Sequence, residues 1–194
     1  YALGVSYAIV DQIFAQWILY FYLPSANSSL KPFMAPILVS IALAVSRFVD
    51  MITDPLVGFL SDKYNSKYGR RIPFIAVGTI PLVLVTIAFF YPPMSNEKAS
   101  FYYLMIVGSL FFTFYTIVGA PYNALIPEIG RTPEERLNLS TWQSVFRLSY
   151  TAIAIIFPGI LIKMIGGKDE LFGIRGMIIF LCVIVFVGLA VTVF

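Results

Sequence analysis

The sequence predicts an all-α integral membrane protein of about six spanning helices. Of its 194 residues, 59% are hydrophobic and 12% charged, against about 25% charged in soluble domains. Mean hydropathy is +0.87. Charged residues are also missing from 72–95, 99–127 and 177–194, each at or beyond the roughly 18 residues that mark a bilayer-spanning helix. A membrane β-barrel would instead alternate apolar and polar residues in short segments.

The elements follow in order. A first span at 3–23 carries Asp11, Gln12 and Gln16 and ends in Tyr20, Phe21 and Tyr22, an aromatic cluster suited to the membrane–water boundary. A polar loop leads to a second span at 33–60, which holds Arg47, Asp50 and Asp54. The basic loop 62–71 follows, then a third span at 72–91 closed by Pro92 and Pro93, and a fourth at 101–125. In the linker 126–140, Thr132 is a good N-cap, with Pro133 at the first helical position and Glu134 and Glu135 in the first turn. That pattern predicts a short helix lying along the membrane surface. The fifth span, 141–162, contains Arg147, and a loop at Gly166 and Gly167 precedes the sixth at 176–194. No stretch remains for a soluble domain.

Composition excludes several functions. The single cysteine, Cys182, rules out an intrachain disulfide, and there is no histidine to serve as metal ligand or proton shuttle. Without a metal-ligand cluster or a G-x-S-x-G motif, an enzyme is not expected. The net charge of +3 reflects loop placement rather than nucleic-acid binding. Loops after spans two and four hold Lys63, Lys67, Arg70, Arg71, Arg131 and Arg136; the alternate loops hold Lys31, Lys98, Lys163, Lys168 and Arg175. The density of the first basic loop places it and the start of the chain in the cytoplasm, in the plasma (inner) membrane. The chain starts at Tyr1 and stops at Phe194 inside an apolar run, so it reads as a piece of a longer protein.

Arg47, Asp50 and Asp54 are spaced i, i+3 and i+7, so a helix projects all three from one face. Burying them in a membrane is costly unless they have partners. Carboxylates at i and i+4 can face a single ion, and a hard cation such as Na⁺ favours oxygen ligands; the same pair can hold a proton instead. The alternative is an Arg47–Asp50 salt bridge that serves packing alone, but two acids and one base leave an acid over. Asp11 and Arg147 are the other deep charges. Either they pair, or they bind polar substrate groups, or Arg147 snorkels to the interface. Gln12, Gln16, Asn123 and Gln143 are further polar candidates. Trp17 and Trp142 suit either sugar stacking or interface anchoring.

The stretches Gly58-Phe59-Leu60-Ser61-Asp62-Lys63 and Gly69-Arg70-Arg71 resemble the G-x-L-x-D-R/K…G-R-R/K signature between helices two and three of the major facilitator superfamily, with four extra residues at 65–68. Preceded by D-x-x-T-D-P at 50–55 and followed by Pro73, this expanded form resembles the glycoside–pentoside–hexuronide:cation symporters, the melibiose permease-like family. The block T-I-V-G-A-P-Y-N-A-L-I-P-E at 116–128 is similar to that family's helix-four signature. The resemblance covers nearly the whole chain, as the N-terminal six-helix bundle of a transporter of about twelve helices, partnered by a C-terminal half and by membrane lipids.

It implies cation-coupled symport of a small solute, a sugar or glycoside, by alternating access. No cofactor is implied beyond a coupling Na⁺ or H⁺, with Li⁺ as a further option. Asp50 and Asp54 match the family's acidic cation ligands, with Thr53 and Thr116 beside them. Gly58, Asp62, Gly69, Arg70 and Arg71 fall in its conformational gate, for which the alternative is a plain topology signal. Helices one, four and five line the family's cavity, which would put Asp11, Gln12, Gln16, Asn123, Gln143 and Arg147 near a substrate, and Arg47 on helix two is a further candidate. The chain departs from the melibiose-type pattern at Gly119, where an acid is usual, at Asn123 in place of an aromatic, and at Ser144, where ungapped alignment puts the helix-five arginine. The substrate therefore stays open. A lysolipid is the alternative, since vertebrate lysolipid symporters share D-x-x-T-D-P; a non-transporting membrane scaffold is the other.

Overall fold

The computed structural model describes residues 2–24, 32–64, 66–67, 69–93, 96–167 and 169–193. Lys31 and Lys168, counted above for orientation, and Asn65 and Tyr68 of the four-residue insert lie outside the described residues. Within them the chain is helical, with no strand. Helix α1 is a composite over 2–22: a 3₁₀ turn at Ala2–Ser6, α-helix at Tyr7–Gln12, a π segment at Ile13–Ile18 and α-helix again at Leu19–Tyr22. Then come α2 (Pro36–Lys63), α3 (Ile72–Ala88), α4 (Glu97–Asn123), the short α5 (Leu125–Ile129), α6 (Pro133–Gly166) and α7 (Glu170–Val193). By length and composition, Pro36–Lys63, Glu97–Ile129, Pro133–Gly166 and Glu170–Val193 can cross a membrane, and α3 is a shorter apolar helix.

Helix starts follow from local chemistry. Pro36 opens α2 and Pro133 opens α6, positions where the missing N–H would be unpaired anyway. The Asn96 side chain accepts from the Lys98 amide to cap α4. Thr132 and Glu135 form a reciprocal capping box, with Thr132 Oγ1 accepting from the Glu135 N–H at 3.2 Å. That cap does not start a separate surface helix, as the sequence had suggested. It starts α6 itself, which continues unbroken to Gly166, because no glycine or proline interrupts 134–157. The linker's only separate helix among the described residues is α5.

Close packing sets where the site forms. Helices α2 and α4 run parallel and touch closely at Ser46 and Gly108, where even a methyl group on Gly108 would overlap the Ser46 hydroxyl. Ser46 stays buried there by donating to the Ala42 carbonyl at 2.9 Å. Small residues at such a crossing let membrane helices touch backbone to backbone. Eight residues further along both helices lie Asp54 and Thr116. On the far side α1 packs against α6 and α7, and Ser6 Oγ donates to the Val185 carbonyl at 3.1 Å. Phe14, Phe89, Phe111 and Phe112 form an aromatic core between α1 and α4, with Phe14 stacked on Phe111 at 5.2 Å. Outward-facing Phe48, Met51, Val77, Leu148 and Met164 are all more than two-thirds exposed or close to it. A surface of that kind is stable against lipid and aggregates in water.

Candidate cation and substrate site

Thr116 on α4 is the pivot. Its hydroxyl lies 2.6 Å from Asp54 Oδ1 and 3.1 Å from Asp50 Oδ1. A hydroxyl carries a single proton, so it can donate to one carboxylate only. The second contact is satisfied when that carboxyl is itself protonated, or when a cation sits among the oxygens. Asp50 is 17% exposed, so water can do little for it.

Arg47, one turn earlier on α2, approaches Asp50 Oδ2 to 3.4 Å. That is long for a charge-assisted bond, which settles near 2.7–2.9 Å. Its guanidinium also lies over the Phe112 ring at 4.1 Å and near the Phe14 ring at 5.2 Å. Thr53 does not join this group: its hydroxyl turns back to the Asp50 carbonyl at 3.2 Å. No cluster of three or more Asp, Glu, His or Cys side chains suited to a metal occurs among the described residues; the oxygens here come from two carboxylates and a hydroxyl.

A cavity of about 260 Å³ opens beside the carboxylates, lined by Tyr7, Asp54, Tyr115, Thr116, Gly119 and Asn123. Asn123 Oδ1 accepts from Tyr7 OH and from Gln143 Nε2, each at 3.1 Å, which ties α1, α4 and α6 together. The amide N–H groups of Asn123 are then the donors left for a polar ligand. Gly119 forms part of the wall; a methyl group there would meet only the Tyr7 ring, at 3.6 Å. The wall at Gly119 therefore carries no carboxylate and has room for a methyl group against the Tyr7 ring.

The other expected substrate residues divide. Gln16 donates to Gln12 Oε1 at 3.1 Å within α1. Asp11 is half-buried and Arg147 exposed, and no ion pair is seen between them; Arg47 and Arg71 form the ion pairs found between described residues. Trp142 is 55% exposed, and the buried Trp17 Nε1 has no hydrogen-bond partner.

At the far end of α2 the basic loop builds a second cluster. Arg71 Nη2 meets Asp62 Oδ1 at 2.6 Å, Nε meets Glu128 Oε1 at 3.0 Å, and Nη1 donates to Ser61 Oγ at 2.9 Å. The Arg71 side chain is only 14% exposed. Ser61 Oγ in turn donates to the Gly58 carbonyl at 3.0 Å. Gly69 makes the turn into α3 with φ of +89°, a backbone that a side chain would strain, while Ser66 Oγ donates to its carbonyl at 3.0 Å. Of the two adjacent arginines it is Arg71 that forms the cluster; Arg70 points to solvent. Sequence reasoning missed Glu128, whose signal was its place at the end of the 116–128 block. It also missed Tyr7, Phe14 and Phe112, which lie in apolar runs and carry no distinguishing spacing.

Fold and site together define a multi-pass α-helical membrane protein organised around an acidic pair, with Asp50 half-buried and Asp54 exposed. The whole chain, residues 1–194, matches the family described as MFS/sugar transport protein, and the chain belongs to that family. It is 30% identical over 146 residues to the inner membrane symporter YicJ of Escherichia coli (strain K12), covering 75% of this chain and 32% of that protein. It is 34% identical over 134 residues to YagG of the same strain, whose name proposes a glycoside/cation symporter, covering 68% of this chain and 29% of YagG. Similarity extends to the sodium-dependent lysophosphatidylcholine symporter 1-A of Danio rerio, 32% identical over 131 residues, 66% of this chain and 24% of that protein. The chain thus spans about a third or less of the length of these relatives. Family and relatives alike are named as transporters rather than enzymes.

Proposed function

We propose that this chain forms the N-terminal six-helix bundle of a secondary active transporter that couples a cation to symport of a sugar or glycoside by alternating access. The single observation that carries this is Thr116 Oγ1 placed between Asp50 and Asp54, an arrangement short of one positive charge. Na⁺ or H⁺, with Li⁺ as a substitute for Na⁺, supplies it. The cation closes the oxygen cluster on one side of the 260 Å³ cavity, so solute bound on the other side meets a wall that the cation has stiffened. The two sites are then linked, each favouring occupancy of the other. Substrate contacts come from Asn123 and Gln143, with Asp11, Gln12, Gln16 and Arg147 on the neighbouring helices. Gly58, Asp62, Gly69, Arg70 and Arg71 belong to the gate that the C-terminal half closes against, on the cytoplasmic side with the 62–71 loop and the start of the chain, in the plasma (inner) membrane. Thr53, bonded to its own helix, takes part only by rotating.

The test uses the full-length protein. Binding to the folded state raises apparent stability by mass action, so thermal stabilisation is titrated with Na⁺, or with protons, against a panel of glycosides. Asp50→Asn and Asp54→Asn are each expected to weaken the cation response by about 10- to 100-fold, and with it the coupling to glycoside. An unchanged response in both variants would refute the assignment. A lysolipid is the second reading, supported by the open wall at Gly119 and the Danio rerio relative. Competition between lysophosphatidylcholine and glycosides for the same stabilisation separates the two.

A further inference from the structure

We infer that Phe14 and Phe112 are positioning residues that hold Arg47 back from Asp50, making Arg47 a tethered competitor for the coupling cation. This rests on the cation site proposed above.

The argument begins with an arginine whose contacts pull in two directions. Arg47 Nη1 stands 3.4 Å from Asp50 Oδ2, while its guanidinium carbon lies 4.1 Å from the Phe112 ring centre and 5.2 Å from that of Phe14. Both rings are within the roughly 6 Å over which an aromatic face attracts a cation. With no rings, a guanidinium beside a poorly hydrated carboxylate would close to a short, paired geometry. The rings therefore offset part of the pull of Asp50 and keep the ion pair loose.

The rings themselves are fixed. Phe112 is 2% exposed and meets Phe14 edge-on at 4.7 Å, and Phe14 stacks on Phe111 at 5.2 Å. So Arg47 has two resting places, one on the rings and one on Asp50. A cation among Asp50, Asp54 and Thr116 favours the first, and its departure favours the second, which spares Asp50 from standing unpaired in the membrane.

Phe14 sits in the π segment of α1, on the helix that also brings Tyr7 to the cavity wall. π turns are unusual and recur at functional positions. The Arg47–Phe14 contact thus joins the cation site on α2 and α4 to a wall of the substrate cavity. Occupancy of the one is felt by the other through a contact that neither ligand makes.

The test titrates purified full-length protein with Na⁺ alone at neutral pH, and with protons in the absence of Na⁺, following thermal stabilisation. Phe112→Leu should raise the concentration for half-maximal stabilisation about three- to tenfold, the scale of one cation–π contact. Phe112→Trp, which keeps an aromatic face, should leave it near the starting value. Phe14→Leu, at a less buried position, should give a smaller shift in the same direction. Arg47→Gln should lower the midpoint, and adding Phe112→Leu to it should change nothing more. An equal shift from Phe112→Leu with and without Arg47, or no shift at all, overturns the inference. If instead Asp54→Asn retains the starting cation response, the cation site itself is wrong and the inference falls with it.

Discussion

Helix α2 carries two clusters with the same charge arithmetic and opposite behaviour. Near its middle are two acids and one arginine, Asp50, Asp54 and Arg47; at its end are again two acids and one arginine, Asp62, Glu128 and Arg71. In the second cluster the arginine is saturated, with contacts of 2.6, 2.9 and 3.0 Å. In the first it stops at 3.4 Å and leans on aromatic rings. Surroundings explain the difference. Asp62 is 63% and Glu128 41% exposed, so water solvates whatever charge the arginine leaves over. In the first cluster the exposures are reversed: Asp50 is 17% exposed, while Arg47 at 55% and Asp54 are open, so the arginine is free to turn from the carboxylate. One arginine is fully engaged within the chain (the finished cluster) and the other is not (the unfinished one), which is the contrast the proposed cation site rests on.

Breaking the unfinished cluster should have the larger functional effect. Asp54→Asn removes the shorter Thr116 contact, and cation affinity measured by thermal stabilisation is expected to fall by about 10- to 100-fold, the scale of a hydrogen bond to a charged group. Thr116→Ser, which keeps the hydroxyl, should retain most of it. Arg71→Ala breaks the finished cluster. It leaves Glu128 and Asp62 facing each other without a counter-charge, and stability should drop by about 1–3 kcal/mol. The cation midpoint should not move. Arg71→Lys should recover only part, because an ammonium cannot reproduce three directional contacts.

Gly108→Ala tests whether helix contact holds the first cluster together. The added methyl overlaps Ser46, and overpacking of this kind costs about 1–3 kcal/mol. Ser46→Gly in the same chain should restore both stability and cation response, whereas an uncompensated loss would mean that the crossing does not position Asp54. The smallest effect belongs far from both clusters: Thr132→Ala removes the α6 cap for about 1 kcal/mol, measurable as a lowered melting temperature with unchanged cation response.

Much of the first cluster was legible, because helical spacing alone puts Arg47, Asp50 and Asp54 on one face. Thr116 came from the resemblance rather than from spacing, since it lies 62 residues from Asp54. The finished cluster was half legible. Asp62 and the double arginine stand out, but which of two adjacent arginines turns inward depends on the turn at Gly69, and Glu128 arrives from 57 residues away. For Asp11 and Arg147 the sequence supplied two deep charges but not their separation, so pairing, substrate contact and snorkelling all stayed open, and the exposure of Arg147 sits with the last two. The cap at Thr132 was readable, yet its consequence was not drawn: with no breaker before Pro158, a capped helix keeps going.

That length turns α6 into a lever. Thirty-four residues rise about 50 Å, whereas the hydrocarbon layer is about 30 Å thick, so its charged first turns stand clear of the lipid as a stiff arm. Pro158 lies inside the helix and cannot supply its rung of the hydrogen-bond ladder. Measured from there, the arm to Thr132 is about 39 Å long, and a bend of about 8° at that point sweeps its tip by about 5 Å, one helical turn. The same arm carries Gln143, bonded to Asn123 beside the cavity, and such a bend would shift it by about 3 Å.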